Sequence, residues 1–181
     1  MRPTSITPTG QEKTFRPDQI IVSKTDPQGR LTYVNRLFVE ISGYDERDLI
    51  GKPHNIIRHP DMPRSVFRLL WDRIANGEEI FAYVVNLSAD GGHYWVLAHV
   101  TPTFDSSGRI LGYHSNRRTA DRATLAVIRD LYARLLAEES RHASTSDAVE
   151  AGKALLDAEL AAAGQTYDEF VWSLSQEEVA A

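Results

Sequence analysis

Between Gly51 and Pro63 the chain reads Gly-Lys-Pro-His-Asn-Ile-Ile-Arg-His-Pro-Asp-Met-Pro. Two imidazoles, a guanidinium, an amide and a carboxylate are crowded between three prolines. Proline fixes φ and drives the residue before it out of the helical region, so this stretch predicts a stiff loop with room for one helical turn. Loops held by a rigid scaffold are where binding groups sit. The Arg58 fork suits anionic oxygens. His59 is a further hydrogen-bonding group. Asp61 could join them, or could cap a helix starting at Pro63. His54 and Asn55 suit caps or turns. His59 and Asp61 are metal ligands by type, but an i, i+2 pair without further ligands is a weak metal signal.

A second polar group stands out by its neighbours. Asn86 shares a strand face with Ala82 and Val84, whereas Phe81, Tyr83, Val85 and Leu87 fall on the other side. A polar residue among small apolar ones suggests a face lining a cavity. Continuing the pattern gives Tyr94, Val96 and Ala98 on the next strand, and Gly112, His114 and Asn116 on the last.

These groups need elements to position them. Ile20–Thr25 and Arg30–Val34 read as a hairpin about the turn Asp26-Pro27-Gln28-Gly29. Asn35 caps a helix through Leu37, Phe38 and Ile41 that Gly43 stops. Tyr44–Ile50 gives a further turn of helix. After the proline-bounded loop, Val66, Phe67, Leu70, Trp71 and Ile74 lie on one face of a helix running to Asn76-Gly77. From residue 79 the period becomes two. Strands then follow around the turns Ala89–Gly92 and Asp105–Gly108, the last from Arg109 to Asn116, and must be antiparallel. Helices return over 120–139, 147–163 and 167–179, with a polar break at 141–146. The predicted class is α+β: a five-stranded antiparallel sheet with short helices on one face, plus C-terminal helices. The domains expected are a mobile arm over 1–17, a sheet domain over 18–120 and a helical extension over 121–181.

Composition excludes several classes. With no cysteine in the chain, disulfides, thiolate metal sites and cysteinyl adducts are impossible. The formal net charge of −5 argues against a nucleic-acid binder. Arg117, Arg118 and Arg122 form a local basic cluster, expected to be a solvated strand end. No apolar run suits a membrane span or a signal peptide, so a soluble, cytoplasmic protein without membrane insertion is expected. No nucleophile–base pair, phosphate loop or paired acids indicates an enzyme.

The element order and its local words resemble the PAS sensor family. Gly43-Tyr44 with Leu49-Ile50-Gly51-Lys52 is similar to the family's helix junction. Asn86, Asp90-Gly91 and Tyr94-Trp95 are similar to its central hairpin, and Gly108–Tyr113 to the entry of its last strand. The stretch Pro53–Pro63 resembles the aerotaxis-receptor branch, whose members bind FAD and sense redox state. The resemblance covers about residues 18–120. The membrane anchor and the methyl-accepting coiled coil of those receptors are not matched.

What the resemblance implies is a non-catalytic FAD-binding redox or oxygen sensor. Asn86 and His114 would read the ring edge, with Arg58, His59 and Asp61 at the loop. Phe67 or Trp71 would touch the flavin, and Asn35 would lie at the pocket rim. Five of them have a plainer role: core packing for Phe67 and Trp71, helix capping for Asn35 and Asp61, and capping of the strand end for Asn86. The signal would pass through the outer sheet face and the C-terminal helices to a partner such as a chemoreceptor or kinase. A homodimer through the N-terminal arm or the C-terminal helices is also expected. The alternatives are a haem gas sensor, with His54, His59 or His114 as axial ligand, and a cofactor-free dimerisation or adaptor module.

Overall fold

The computed structural model describes residues 6–176. Two compact units emerge, one from Met1–His59 with Arg73–Thr119, the other from Pro60–Asp72 with Ala120–Ala181.

The first unit is built on an antiparallel sheet of five strands: β1 (Ile21–Thr25), β2 (Leu31–Val34), β3 (Ile80–Leu87), β4 (His93–Phe104) and β5 (Ile110–Arg118). Their spatial order is β2-β1-β5-β4-β3, so β2 and β3 are the edges. Helix α1 (Arg36–Ser42) follows β2. Asn35 opens it, because its Oδ1 accepts from the Phe38 amide at 3.1 Å and the Val22 amide at 3.0 Å. Gly43, at φ 71°, closes it by donating to the Val39 carbonyl. Helix α2 (Glu46–Leu49) and a 3-10 turn (His54–Ile57) complete the connection.

The N-terminal arm departs from the expected mobile segment. The Thr9 amide donates to the Gly91 carbonyl, Lys13 to the His93 carbonyl, and His93 back to Gln11, at 2.7–2.9 Å. Lys13 also pairs with Asp90 at 2.8 Å. Thr9 to Lys13 therefore dock along the β3–β4 turn.

The second unit holds α3 (Arg64–Ala75) as far as Asp72, with α4 (Arg122–Glu139), α5 (Thr145–Ala163) and α6 (Tyr167–Gln176). Asp121 caps α4 and Ser144 caps α5, which starts α5 two residues ahead of the expected 147. Leu125, Ile128, Leu131, Tyr132 and Leu135 form the buried stripe of α4. Arg134 of α4 bridges to Glu159 of α5 at 2.7 Å. The expected end of α6 at Val179 lies outside the described residues. Among the described residues no helix is long and apolar enough to cross a membrane.

Candidate functional site

The loop after α2 is held at both edges of the sheet. At the β2 edge, the Leu31 amide donates to the Lys52 carbonyl, Gly51 to Leu31, and His54 to Gly29, at 2.7–2.9 Å. At the β3 edge, Arg58 forms a backbone bridge with Asn86. Between these anchors the His54 ring meets Phe38 edge-on, with centroids 6.3 Å apart. Its Nε2 lies 2.5 Å from Arg117 Nη2 on the central strand β5. The sequence places this rigid segment so that it spans the inner face of the sheet rather than trailing in solvent.

Strand register defines that face. Asn86 pairs with Tyr94, Val84 with Val96 and Ala82 with Ala98. Ala98 pairs with Arg117, Val100 with Ser115 and Pro102 with Tyr113. Ser23 and Ile21 of β1 pair with Ser115 and Arg117. Cross-strand partners share a face. The inner set is thus Ala82, Val84 and Asn86, then Tyr94, Val96 and Ala98, as the sequence pattern predicts, followed on β5 by Tyr113, Ser115 and Arg117.

That last strand corrects the expectation. Gly112, His114 and Asn116 occupy the opposite face, where His114 is half-buried and its Nε2 lies 3.1 Å from Asn116 Oδ1. The cause is a bulge. Phe104 pairs with Ile110 but Thr103 pairs with Gly112, so Leu111 is an extra residue on β5. One inserted residue reverses the parity of every side chain beyond it. An uninterrupted ladder would set His114 beside Val100. Gly112 permits the close approach of β1 here, since a Cβ on it would lie 2.1 Å from the Thr25 carbonyl oxygen.

The inner face carries buried polar atoms with no hydrogen-bond partner among the described residues: Asn86 Nδ2, Tyr94 Oη, Ser115 Oγ and Arg117 Nη1, with Thr25 Oγ1 on β1. Each unmet buried group costs about 1–3 kcal/mol, and folded proteins leave few of them. Arg117 departs furthest from expectation. The predicted solvated cation is 4% exposed. Its Nη2 donates to Ser23 Oγ at 3.0 Å and to His54, and its Cζ lies 5.6 Å from the centre of the Phe38 ring. Burial lowers the Arg117 pKa to about 10 and the Tyr94 hydroxyl opposes that shift; no carboxylate contributes. The guanidinium stays charged at neutral pH. His54 is correspondingly held neutral. Desolvation, then the Arg117 charge, lowers its pKa to about 3, so Nε2 accepts and Nδ1 carries the proton. Burial raises the Tyr94 pKa, which keeps the hydroxyl protonated. The face is therefore rich in donors and carries one buried positive charge.

The other predicted site residues fall as follows. Asn35 spends its side chain on structure, accepting from Val22 and Phe38 and donating to the Ile20 carbonyl at 2.8 Å. This is the cap role weighed for it in the sequence. Arg58 is half-buried beside Asn86. His59 is buried, its ring centroid 5.6 Å from that of His93. Asp61, Phe67 and Trp71 belong to the second unit, Asp61 exposed and the two aromatics half-buried on α3. At the start of α3 the Arg64 and Ser65 amides donate to Glu139, at 3.0 and 2.8 Å, so at those two amides a distant residue does the capping expected of Asp61. The structure thus brings Asn86 and the Arg58 backbone together with Tyr94, Ser115, Arg117 and His54. Ser115 and Arg117 were missed. The alternation Tyr113-x-Ser115-x-Arg117 carries the signal, but only once the bulge fixes its parity.

Comparison with known proteins agrees with this architecture. The family described as the PAS fold matches residues 31–117. The aerotaxis receptor of Escherichia coli is 39% identical over 68% of this chain and 24% of its own length. The biofilm dispersion protein BdlA of Pseudomonas aeruginosa is 30% identical over 48% of this chain and 21% of its own. The chain therefore spans about a quarter or less of these relatives. Among solved structures, the dark state of the blue-light photoreceptor Aureochrome1 LOV superposes with a TM-score of 0.54 at 19% identity, covering 60% of this chain and 79% of that one. A light-oxygen-voltage domain studied with a flavin analogue gives 0.54 at 15% identity, covering 60% and 82%. These two likenesses carry the fold.

Proposed function

Residues 31–117 of this chain belong to the PAS-fold family, and on that premise we propose that the loop and the inner sheet face bind a flavin, FAD, as a redox or oxygen sensor. The observation that carries this reading is the cluster of buried, unpartnered donors at Asn86, Tyr94, Ser115 and Arg117. Carbonyl oxygens and ring nitrogens on a flat heterocycle would accept from such groups, and Ala82, Val84, Val96 and Ala98 supply small apolar walls. A bound flavin supplies an electron carrier whose ring changes charge and protonation on reduction.

The chain's own residues do the rest. Asn86 and Tyr94, opposite each other on β3 and β4, orient the ring. The rigid loop keeps water from the inner face. Arg58 and His59, anchored at the β3 edge, serve the phosphate end. A change in the ring's charge alters which hydrogen bonds the inner face makes and biases the sheet. The outer sheet face and the C-terminal helices then pass that bias to a signalling partner, such as a chemoreceptor or kinase. Similarity to the aerotaxis receptor and to BdlA supports a signalling role rather than catalysis.

The test is the visible spectrum of freshly purified protein before and after dithionite, with chromatography of the chromophore released on denaturation. The expected result is a flavin spectrum bleached by dithionite, released FAD, and lower flavin content in Asn86→Ala and Arg58→Ala. A Soret band would favour haem. Full flavin retention in both variants would remove these residues from the site.

A further inference from the structure

The unpaired guanidinium asks more of a ligand than hydrogen-bond acceptors. Neutral acceptors would satisfy the Asn86, Tyr94 and Ser115 donors. They would leave the Arg117 charge buried and uncompensated, and a desolvated cation without a counter-charge is costly. Its surroundings hold it in place without neutralising it. Ser23 Oγ and His54 Nε2 are uncharged acceptors that fix Nη2 and leave Nη1 open. Phe38 offers only its ring face. The loop anchors His54, and the bulge at Leu111 sets Arg117 inward.

Resting on the flavin reading, we propose that Arg117 discriminates between charge states of the bound ring, stabilising negative charge on it and so favouring the reduced, anionic form over the oxidised, neutral one. In a desolvated site the attraction between a fixed cation and a ring anion is far stronger than in water. The oxidised ring gains only a hydrogen bond from the same nitrogen. Ser23 and His54 are the positioning residues for this cation.

The experiment measures the affinities of flavin-stripped protein for oxidised FAD and, anaerobically, for dithionite-reduced FAD. The wild-type protein should bind the reduced form more tightly. Arg117→Gln should cut that preference by about tenfold, equivalent to about 30 mV in a two-electron midpoint potential. Arg117→Lys keeps the charge but loses the fork, and should stay within about threefold of wild type. A second measurement needs no variant. Sulfite adds to the flavin N5, its sulfur lone pair forming the N–S bond while the ring takes up the negative charge. Wild-type holoprotein should form this adduct reversibly, seen as bleaching of the visible band, and this decides the matter if Arg117→Gln does not fold. An unchanged preference in folded Arg117→Gln, or no adduct in wild type, overturns the inference while leaving flavin binding intact. Failure of the wild-type protein to bind FAD in either state removes both.

Discussion

Two buried charges in this protein are treated in opposite ways. In the helical unit the carboxylate of Glu139, 7% exposed, accepts from the Arg64 amide at 3.0 Å and, at its other oxygen, from the Ser65 amide at 2.8 Å and Ser65 Oγ at 2.7 Å. An anion at a helix N-terminus also meets the favourable end of the helix dipole. In the sheet unit Arg117 is as deeply buried, yet among the described residues it has two neutral acceptors for Nη2 and none for Nη1. A satisfied buried charge holds structure together. An unsatisfied one, among further unpartnered donors, is the feature on which the proposal of a bound flavin rests.

The comparison breaks first if Glu139 is dispensable. Glu139→Ala strands two helix-end amides and a hydroxyl, and should cost about 3 kcal/mol in urea unfolding; Glu139→Gln should fall between it and wild type. A neighbouring substitution sharpens the same point. A Cβ on Gly152 would lie 2.8 Å from Ser65 Oγ and 2.9 Å from Glu139 Oε1. Gly152→Ala must therefore push this cluster apart, at a cost of about 1–2 kcal/mol by the same assay. Were either substitution harmless, the carboxylate would not be the anchor described.

The sheet unit should give smaller effects of a different kind. The folded-state pKa of His54 is about 3, against 6.5 for a free imidazole. Below about pH 6.5 the unfolded chain takes up a proton that the folded state refuses. The His54 contribution to stability is therefore complete above that pH and is lost as pH falls toward 3. Between about pH 7.5 and 5.5 the loss should be about 1.4 kcal/mol, and His54→Asn should flatten it. Smallest of all is Arg117→Met in flavin-free protein. Removing an uncompensated buried charge should change stability by less than about 1 kcal/mol, in either direction. A loss as large as that of Glu139→Ala would mean that Arg117 is already paid for within the fold.

Much of this was legible in the residues, and what was not has identifiable causes. Asn35 and Gly43 bound α1 because their chemistry is local: an amide that reaches two backbone N–H groups and a residue free to adopt positive φ. The inward set Ala82, Val84 and Asn86 followed from alternation alone. The inward set of β5 did not, because Leu111 is an extra residue that no hydropathy pattern flags. Arg117 was read as solvated because cations are rarely buried without a partner. Glu139 at the start of α3 could not be foreseen, since 74 positions separate it from Ser65. Phe67 and Trp71 fit core packing and ligand contact equally by helical spacing.

The central claim is that the unmet donors of the inner sheet face are met by FAD. The most direct measurement is the urea-unfolding stability of flavin-stripped protein with and without FAD, in wild type and in Asn86→Leu/Arg117→Met. A ligand bound only by the folded state at a hundred times its Kd adds about 2.7 kcal/mol. The account predicts a gain of that order in wild type and little or none in the double variant. Equal gains in both proteins, or none in wild type, would contradict it.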